Sequence, residues 1–289
     1  MRPQRQKQSG FTLVEMIVVM VITGIIGGMV AIFIKTPVQG YVDSARRAEL
    51  TDIADTALRR LARDIRTAVP NSVRIPNSAG TNTYIEFLPT KNGGRYRADT
   101  GGTNNVLDFG VADNSFEIIG TGINFAADDY IVIGSTQSGG NPPYNTAATG
   151  ILRAYNGVAG LQTSVSFNNP SGLPVWAEVP GQRFDVVDGT QQAVTYACIG
   201  TLGALNTNND GQASLMRYWH YGFNTPAQVA PPLAGPGSGS AILADRVSAC
   251  EITYDAVNQR NGLITIRLGI TRGGESVSLY QEIHVNNMP

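Results

Sequence analysis

Charge is scarce in this chain of 289 residues. Asp, Glu, Lys and Arg together make up 15% of it, and the formal net charge is −1. No basic stripe can be drawn from such a composition, so no nucleic-acid partner is expected. Histidine is limited to His220 and His284, and cysteine to Cys198 and Cys250. These four residues have no close ligand spacing, which leaves a metal site without its donors. Nucleophile elbows and zinc-helix motifs are missing too. Gly93-Gly94 and Gly101-Gly102 read as loops and not as phosphate cradles, because no helix start with Lys followed by Ser or Thr comes after them. The chain therefore reads as no enzyme, with neither catalytic residues nor a cofactor.

Helix formers do not dominate either. With 33 Gly and 15 Pro, most of the chain points to a turn-rich β body. The exception is the N-terminal part. From Phe11 to Ile34 the only ionisable side chain is Glu15. Such a run extends about 36 Å as a helix, enough to cross a bilayer core of about 30 Å. A carboxylate inside it costs about 2–3 kcal/mol or more near the bilayer centre, which marks Glu15 as a functional residue by default. Arg2, Arg5 and Lys7 precede the run with no acid among them, favouring a cytoplasmic N-terminus and an exported C-terminal part.

From Val38 to Val69 the pattern becomes amphipathic. Leu50, Ile53, Ala54, Ala57, Leu58, Leu61, Ala62 and Ile65 form one apolar stripe at helical period. Arg46, Arg47, Glu49, Asp52, Asp55, Arg59, Arg60, Arg63, Asp64 and Arg66 occupy the opposite face. Gly24, Gly27, Gly28 and Pro37 loosen the middle of this long helix and predict a kink, and Val69-Pro70-Asn71 predicts its end. Beyond it, strands are expected at Tyr84–Leu88, Phe116–Ile119, Tyr130–Ile133, Phe184–Val187, Val194–Ile199, Leu215–Tyr221, Val247–Tyr254, Leu263–Ile270 and Val277–Val285. Arg272-Gly273-Gly274 reads as a hairpin turn, and turn-rich inserts fall at Lys91–Asn105, Ser135–Thr149 and Thr225–Ser240. The expected class is α+β, a long helix packed on a mainly antiparallel β domain. Its parts would be a leader at 1–10, a helix at 11–69 (11–34 transmembrane, 38–69 amphipathic) and a β-rich body at 70–289.

Several polar features read first as structural, with calcium at the Asn206–Gly211 turn left open. His220, in Tyr218-Trp219-His220-Tyr221, belongs to a strand aromatic cluster, and His284 lies in the final strand. Asn206-Thr207-Asn208-Asn209-Asp210-Gly211 begins like a calcium loop, but the twelfth position is the cation Arg217, so it reads as a polar turn. Asp128-Asp129 reads as a solvated turn. In an exported body Cys198 and Cys250 read as one disulfide, the alternative being two unpaired buried thiols.

Ser9-Gly10-Phe11-Thr12-Leu13-Val14-Glu15, set directly before the apolar run, resembles the type III signal of type IV prepilins and of the pseudopilins of type II secretion. The resemblance implies that a prepilin peptidase cuts after Gly10 and N-methylates Phe11, taking the net charge from −1 to −4 as Arg2, Arg5 and Lys7 are lost. It implies that Glu15 neutralises the free amine of a neighbouring subunit. The partners implied are that peptidase, other major and minor pilins met through the helix, the inner-membrane assembly platform and membrane lipid. The implied location is the bacterial inner membrane, single-pass with a periplasmic body, and then the extracellular filament. A secretory signal peptide fits worse, since Phe33-Ile34-Lys35-Thr36-Pro37 follows the run where a small-residue cleavage site would stand. Leu58–Arg66, the paired cysteines, Leu243–Asp255, Gly262–Ile270 and the ending His284–Pro289 resemble the large minor pilins, nearest the MshO-type component of mannose-sensitive haemagglutinin (MSHA) pili. PilW-like and J-type minor subunits share the plan. The function implied is a minor pilin at or near the filament tip that initiates assembly. The alternatives are a J-type secretion pseudopilin and a tip adhesin binding surfaces or glycans.

Overall fold

The computed structural model describes residues 10–75, 83–99, 105–136, 142–147, 149–225, 229–255 and 261–287. Residues 1–9 of the expected leader, Gly101-Gly102 and parts of the three turn-rich inserts lie outside the described residues. The chain divides into two compact units, Met1–Glu49 and Leu50–Pro289.

One helix, α1 (Leu13–Arg66), begins in the first unit and ends in the second. Its helical assignment is unbroken through Gly24, Gly27, Gly28 and Pro37, although Pro37 has no N–H to give to the Phe33 carbonyl. The helix stops at Arg66, three residues short of the expected end. Thr67 and Ala68 N–H close tight final turns on the Asp64 and Ile65 carbonyls. Tertiary pairing then takes over: Ala68 bridges Pro89, and Val69 N–H donates to the Leu88 carbonyl at 2.8 Å.

Among the described residues, fourteen strands follow in the second unit. They are β1 (Tyr84–Phe87), β2 (Thr90–Tyr96), β3 (Ser115–Ile119), β4 (Ile123–Phe125), β5 (Tyr130–Ile133), β6 (Leu152–Ala154) and β7 (Gly160–Gln162). The rest are β8 (Ser164–Ser166), β9 (Arg183–Val187), β10 (Val194–Leu205), β11 (Gly211–Trp219), β12 (Gly239–Asp255), β13 (Asn261–Arg272) and β14 (Glu275–Asn286). The class is α+β, as the sequence indicates.

The main sheet is antiparallel throughout, in the order β1-β10-β11-β12-β13-β14. Leu50, Ala54, Ala57, Leu58, Leu61, Ala62 and Ile65 of α1 bury their stripe against one face of it, meeting Val194, Leu215, Ile252, Ile266 and Ile283. Arg272 pairs with Glu275 around Gly273 and Gly274, whose φ values are 57° and 85°. Two successive left-handed residues make the two-residue hairpin turn that suits the twist of its strands.

The segment between β1 and β10 forms a second body. Of its eight strands, β4 and β7 pair with each other, and the other six run in the order β6-β5-β9-β2-β3-β8. The two ends of this sheet meet: Tyr155 bridges Phe167, Asn156 N–H donates to the Ser166 carbonyl at 3.0 Å, and Asn168 N–H to the Ala154 carbonyl at 3.2 Å. The sheet is thus closed into a small barrel, filled by Phe116, Phe167, Phe184, Tyr96, Ile131 and Val186. Phe116 sits at its centre, 5.1 Å from the Phe184 ring and 5.8 Å from the Phe167 ring.

Two expectations are corrected by long-range pairing. The insert expected from Lys91 contains β2, and Gly93-Gly94 lie in that strand instead of a loop. They pair with Asp185 and Phe184, and a Cβ at Gly94 would come within about 3 Å of the Phe184 ring. The loop expected to reach Ser240 gives way to β12 at Gly239, and this strand bends where Arg246 takes φ 55° and its register on β11 shifts.

Cys198 on β10 and Cys250 on β12 are joined by a disulfide, with Cα atoms 6.4 Å apart and a sequence separation of 52. Cross-linking residues that far apart restricts the unfolded chain by about 4 kcal/mol in the loop-entropy account. Reducing the bond in the full chain held in detergent should lower its melting temperature by several degrees or more, read by calorimetry. Two reactive sulfhydryls titrated in the unfolded, unreduced protein would refute the bond.

Candidate functional site at the helix N-terminus

The residues singled out at the N-terminus come together through one capping interaction. Thr12 stands just before the first helical residue. Its Oγ1 accepts the Glu15 N–H at 3.3 Å, and its carbonyl accepts the first helical N–H, from Met16, at 3.2 Å. Thr12-Leu13-Val14-Glu15 has the spacing of a capping box, in which a hydroxyl satisfies an amide that the helix leaves free. That spacing is visible in the sequence, and reading the acid alone overlooks Thr12. The cap places Glu15 in the first turn, where the helix dipole favours a negative charge. Among the described residues, no side chain pairs with the Glu15 carboxylate.

The surface around this acid is apolar on every side. Phe11 is 81% exposed, and Leu13, Val14, Met16, Ile17, Val21 and Ile25 are all exposed as well. Thr23 turns its hydroxyl inward to the Val19 carbonyl at 2.6 Å, so it presents little free polarity. A Cβ added at Gly24, Gly27 or Gly28 would meet nothing within 4 Å. These glycines are therefore not needed for packing within the chain, and they leave the backbone open to close approach by another helix. One helix of α1's length and composition suffices to span a membrane.

A family model described as the prokaryotic N-terminal methylation motif matches residues 5–31. Type IV prepilin-like character has its support here. No curated protein and no solved structure matches the chain. The motif together with the exposed apolar helix is consistent with membrane anchoring, and it suggests a structural subunit in place of an enzyme.

In the body, Asp64, Glu86 and Asp129 are committed to holding the fold, although Asp129 is expected from the sequence to lie in a solvated turn. Asp64 of α1 accepts the Tyr196 hydroxyl at 2.6 Å and Arg217 Nε at 3.2 Å, tying the helix to β10 and β11. Asp129 is buried, with both carboxylate oxygens 3.0 Å from Lys91 Nζ and one accepting the Ala126 N–H at 2.8 Å. Glu86 is 1% exposed and paired with Arg74, and its other oxygen accepts the Tyr221 hydroxyl at 2.8 Å. Burial pushes its carboxyl upward against the pull of Arg74. The Arg74 guanidinium lies 3.7 Å over the Tyr144 ring. Each of these acids thus has a cation and a second hydrogen-bond donor beside it.

His220 is not in a strand. It follows β11 with φ 58°, and its Nδ1 lies 2.9 Å from the Gly237 carbonyl. His284 is exposed on β14, opposite Leu263. In the Asn206–Gly211 turn, Asn206 Oδ1 accepts the N–H groups of Asn208 and Asp210, and Asp210 Oδ1 accepts the Gly273 N–H at 2.7 Å. Its oxygens thus serve the turn, the β13–β14 hairpin and Arg246.

Asp185 is the exception to this neutralised pattern. Burial pushes its carboxyl up to about 6, while Arg183 works in the opposite direction. A carboxyl raised in the folded state is favoured while protonated, so its contribution is present at low pH and lost as pH rises from about 4 through 6. Asp185→Asn should therefore stabilise the protein at pH 8 and leave it nearly unchanged at pH 4, measured by urea denaturation. Equal effects at both pH values would contradict this assignment.

Proposed function

We propose that this chain is a minor pilin, a structural assembly subunit of a bacterial type IV pilus of the MSHA type, working at or near the filament tip to start assembly. The observation that carries the reading is the methylation motif placed on an apolar helix whose surface its own chain leaves uncovered. In this reading the peptidase cuts after Gly10 and methylates Phe11. The helix then holds the subunit in the inner membrane with its body in the periplasm, until the assembly platform moves it into the filament. There α1 packs among the helices of other major and minor pilins, and Gly24, Gly27, Gly28 and Pro37 let it bend and approach them closely. Glu15 supplies specificity, because a carboxylate in an apolar bundle demands a positive partner, which the terminal amine of a neighbouring subunit provides.

Gly10→Val should block processing, since a branched side chain obstructs a cleavage site that accepts glycine. Mass spectrometry of the membrane fraction should find only the uncut chain. A mature protein beginning at Phe11 would overturn the cleavage assignment.

Glu15→Ala should insert as well as the parent or better, because the segment becomes more apolar. Assembly should suffer, since an amine is left unpaired in an apolar bundle at a cost of a few kcal/mol. Fewer filaments are expected, and Glu15→Gln should be nearly as poor because it keeps hydrogen bonding but not charge. An unchanged filament number, with variant subunits recovered beside their neighbours in normal amounts, would remove Glu15 from this role.

A further inference from the structure

Among the described residues, the long strand edge that runs without irregularity is β14: the outer edges of β4 and β7 are three residues long, and the uncovered parts of β10 and β12 lie beside register shifts. The barrel has no free edge, because Tyr155 and Phe167 join its ends. The β1 edge of the main sheet is covered by a chain segment: Arg74 N–H donates to the Glu86 carbonyl at 2.9 Å and Glu86 N–H to the Arg74 carbonyl at 3.0 Å. The opposite edge is β14, paired only with β13. Its register runs from Glu275 to Asn286 without a bulge, and it contains no proline or lysine. From Ser276 to Val285, no backbone hydrogen bond from another described residue reaches its outer side. Long, flat edges of this kind are what soluble proteins usually blunt, because their free N–H and C=O groups accept another strand.

The side chains along this edge change midway. Ile283 and Val285 are buried on the core face, whereas Val277 and Leu279, on the same face, are only half-buried. Ser276, Ser278, Tyr280 and Glu282 are exposed on the other face, and Glu282 presents a carboxylate whose partner is the Tyr280 hydroxyl at 2.8 Å. β14 thus lacks a neighbour that would cover Val277 and Leu279 on one face and meet Glu282 on the other.

We propose that β14 is a docking edge for an extended segment of a different protein. That segment would add as a seventh strand, apolar at the alternate positions beside Val277 and Leu279 and basic where it faces Glu282. A second copy of this chain is the poorer occupant. β14 carries Glu275 and Glu282 but neither Lys nor Arg, so self-pairing gives Glu282 no Lys or Arg to face.

The test uses the full chain in detergent and a blocked peptide, Thr-Val-Thr-Val-Lys-Val-Thr-Val-Thr, as the probe. Hydrogen exchange read by mass spectrometry should show amides of Ser276–Glu282 slowed about tenfold by the peptide, with the barrel unaffected. The same peptide N-methylated at its valines should have no effect, and Glu282→Lys should abolish the slowing. No slowing at β14, equal slowing by the N-methylated peptide, or retention of the effect in Glu282→Lys would overturn the proposal. A peptide-free dimer with β14 already protected would assign the edge to a second copy and overturn it likewise. None of these outcomes depends on cleavage at Gly10, so the edge and the assembly reading can fail separately.

Discussion

Everything about this chain is organised around a helix whose first half cannot be satisfied by its own protein. From Phe11 through Val42 the large apolar side chains are exposed, while the same helix from Leu50 onward buries a narrow stripe. Apolar surface left in water costs about 25 cal/mol per Å2, so a segment apolar on all sides needs lipid or other helices around it. The second half has the opposite need. Its stripe must find a sheet, and its charged flank must stay wet or be paired. One continuous backbone carries both requirements, so the anchor and the folded body are covalently coupled through α1.

The body meets the ordinary hazard of β structure in two different ways. Where strands are short, as in β6 and β8, the sheet rolls up and its ends join, which removes edges altogether. Where strands are long, as in β12 to β14, the sheet stays open because one of its faces is occupied by the helix. Closing it would bury that helix inside. The disulfide lies in this open sheet, between strands that flank β11, where closure cannot contribute order.

Buried and half-buried charge does the work of alignment. Asp64, Glu86 and Asp129 each lose water and regain it as hydrogen bonds from Tyr196 and Arg217, from Arg74 and Tyr221, and from Lys91 and Ala126. Such pairs add little net stability against apolar replacements, but a shifted register would leave each acid unpaired. Asp64 therefore specifies how α1 seats on the sheet, and Asp129 how β2 lies beside the turn before β5.

Local chemistry was legible from the residues alone. The motif from Gly10 to Glu15, the apolar run, the stripe from Leu50 to Ile65, the alternation in β13 and β14 and the Gly273-Gly274 turn all act over a few residues, through helical period, strand period and positive φ. The candidate site was legible for the same reason, except that the cap role of Thr12 was hidden behind the more conspicuous Glu15. What the sequence did not disclose depends on partners far along the chain. Gly93-Gly94 form a strand only because Asp185 and Phe184 arrive beside them, the barrel closes only because Tyr155 meets Phe167, and Asp129 is buried only because Lys91 reaches it. No local pattern encodes such meetings, since a strand of polar residues and glycine gains its hydrogen bonds and its burial from its neighbours. Only the tertiary structure decided them.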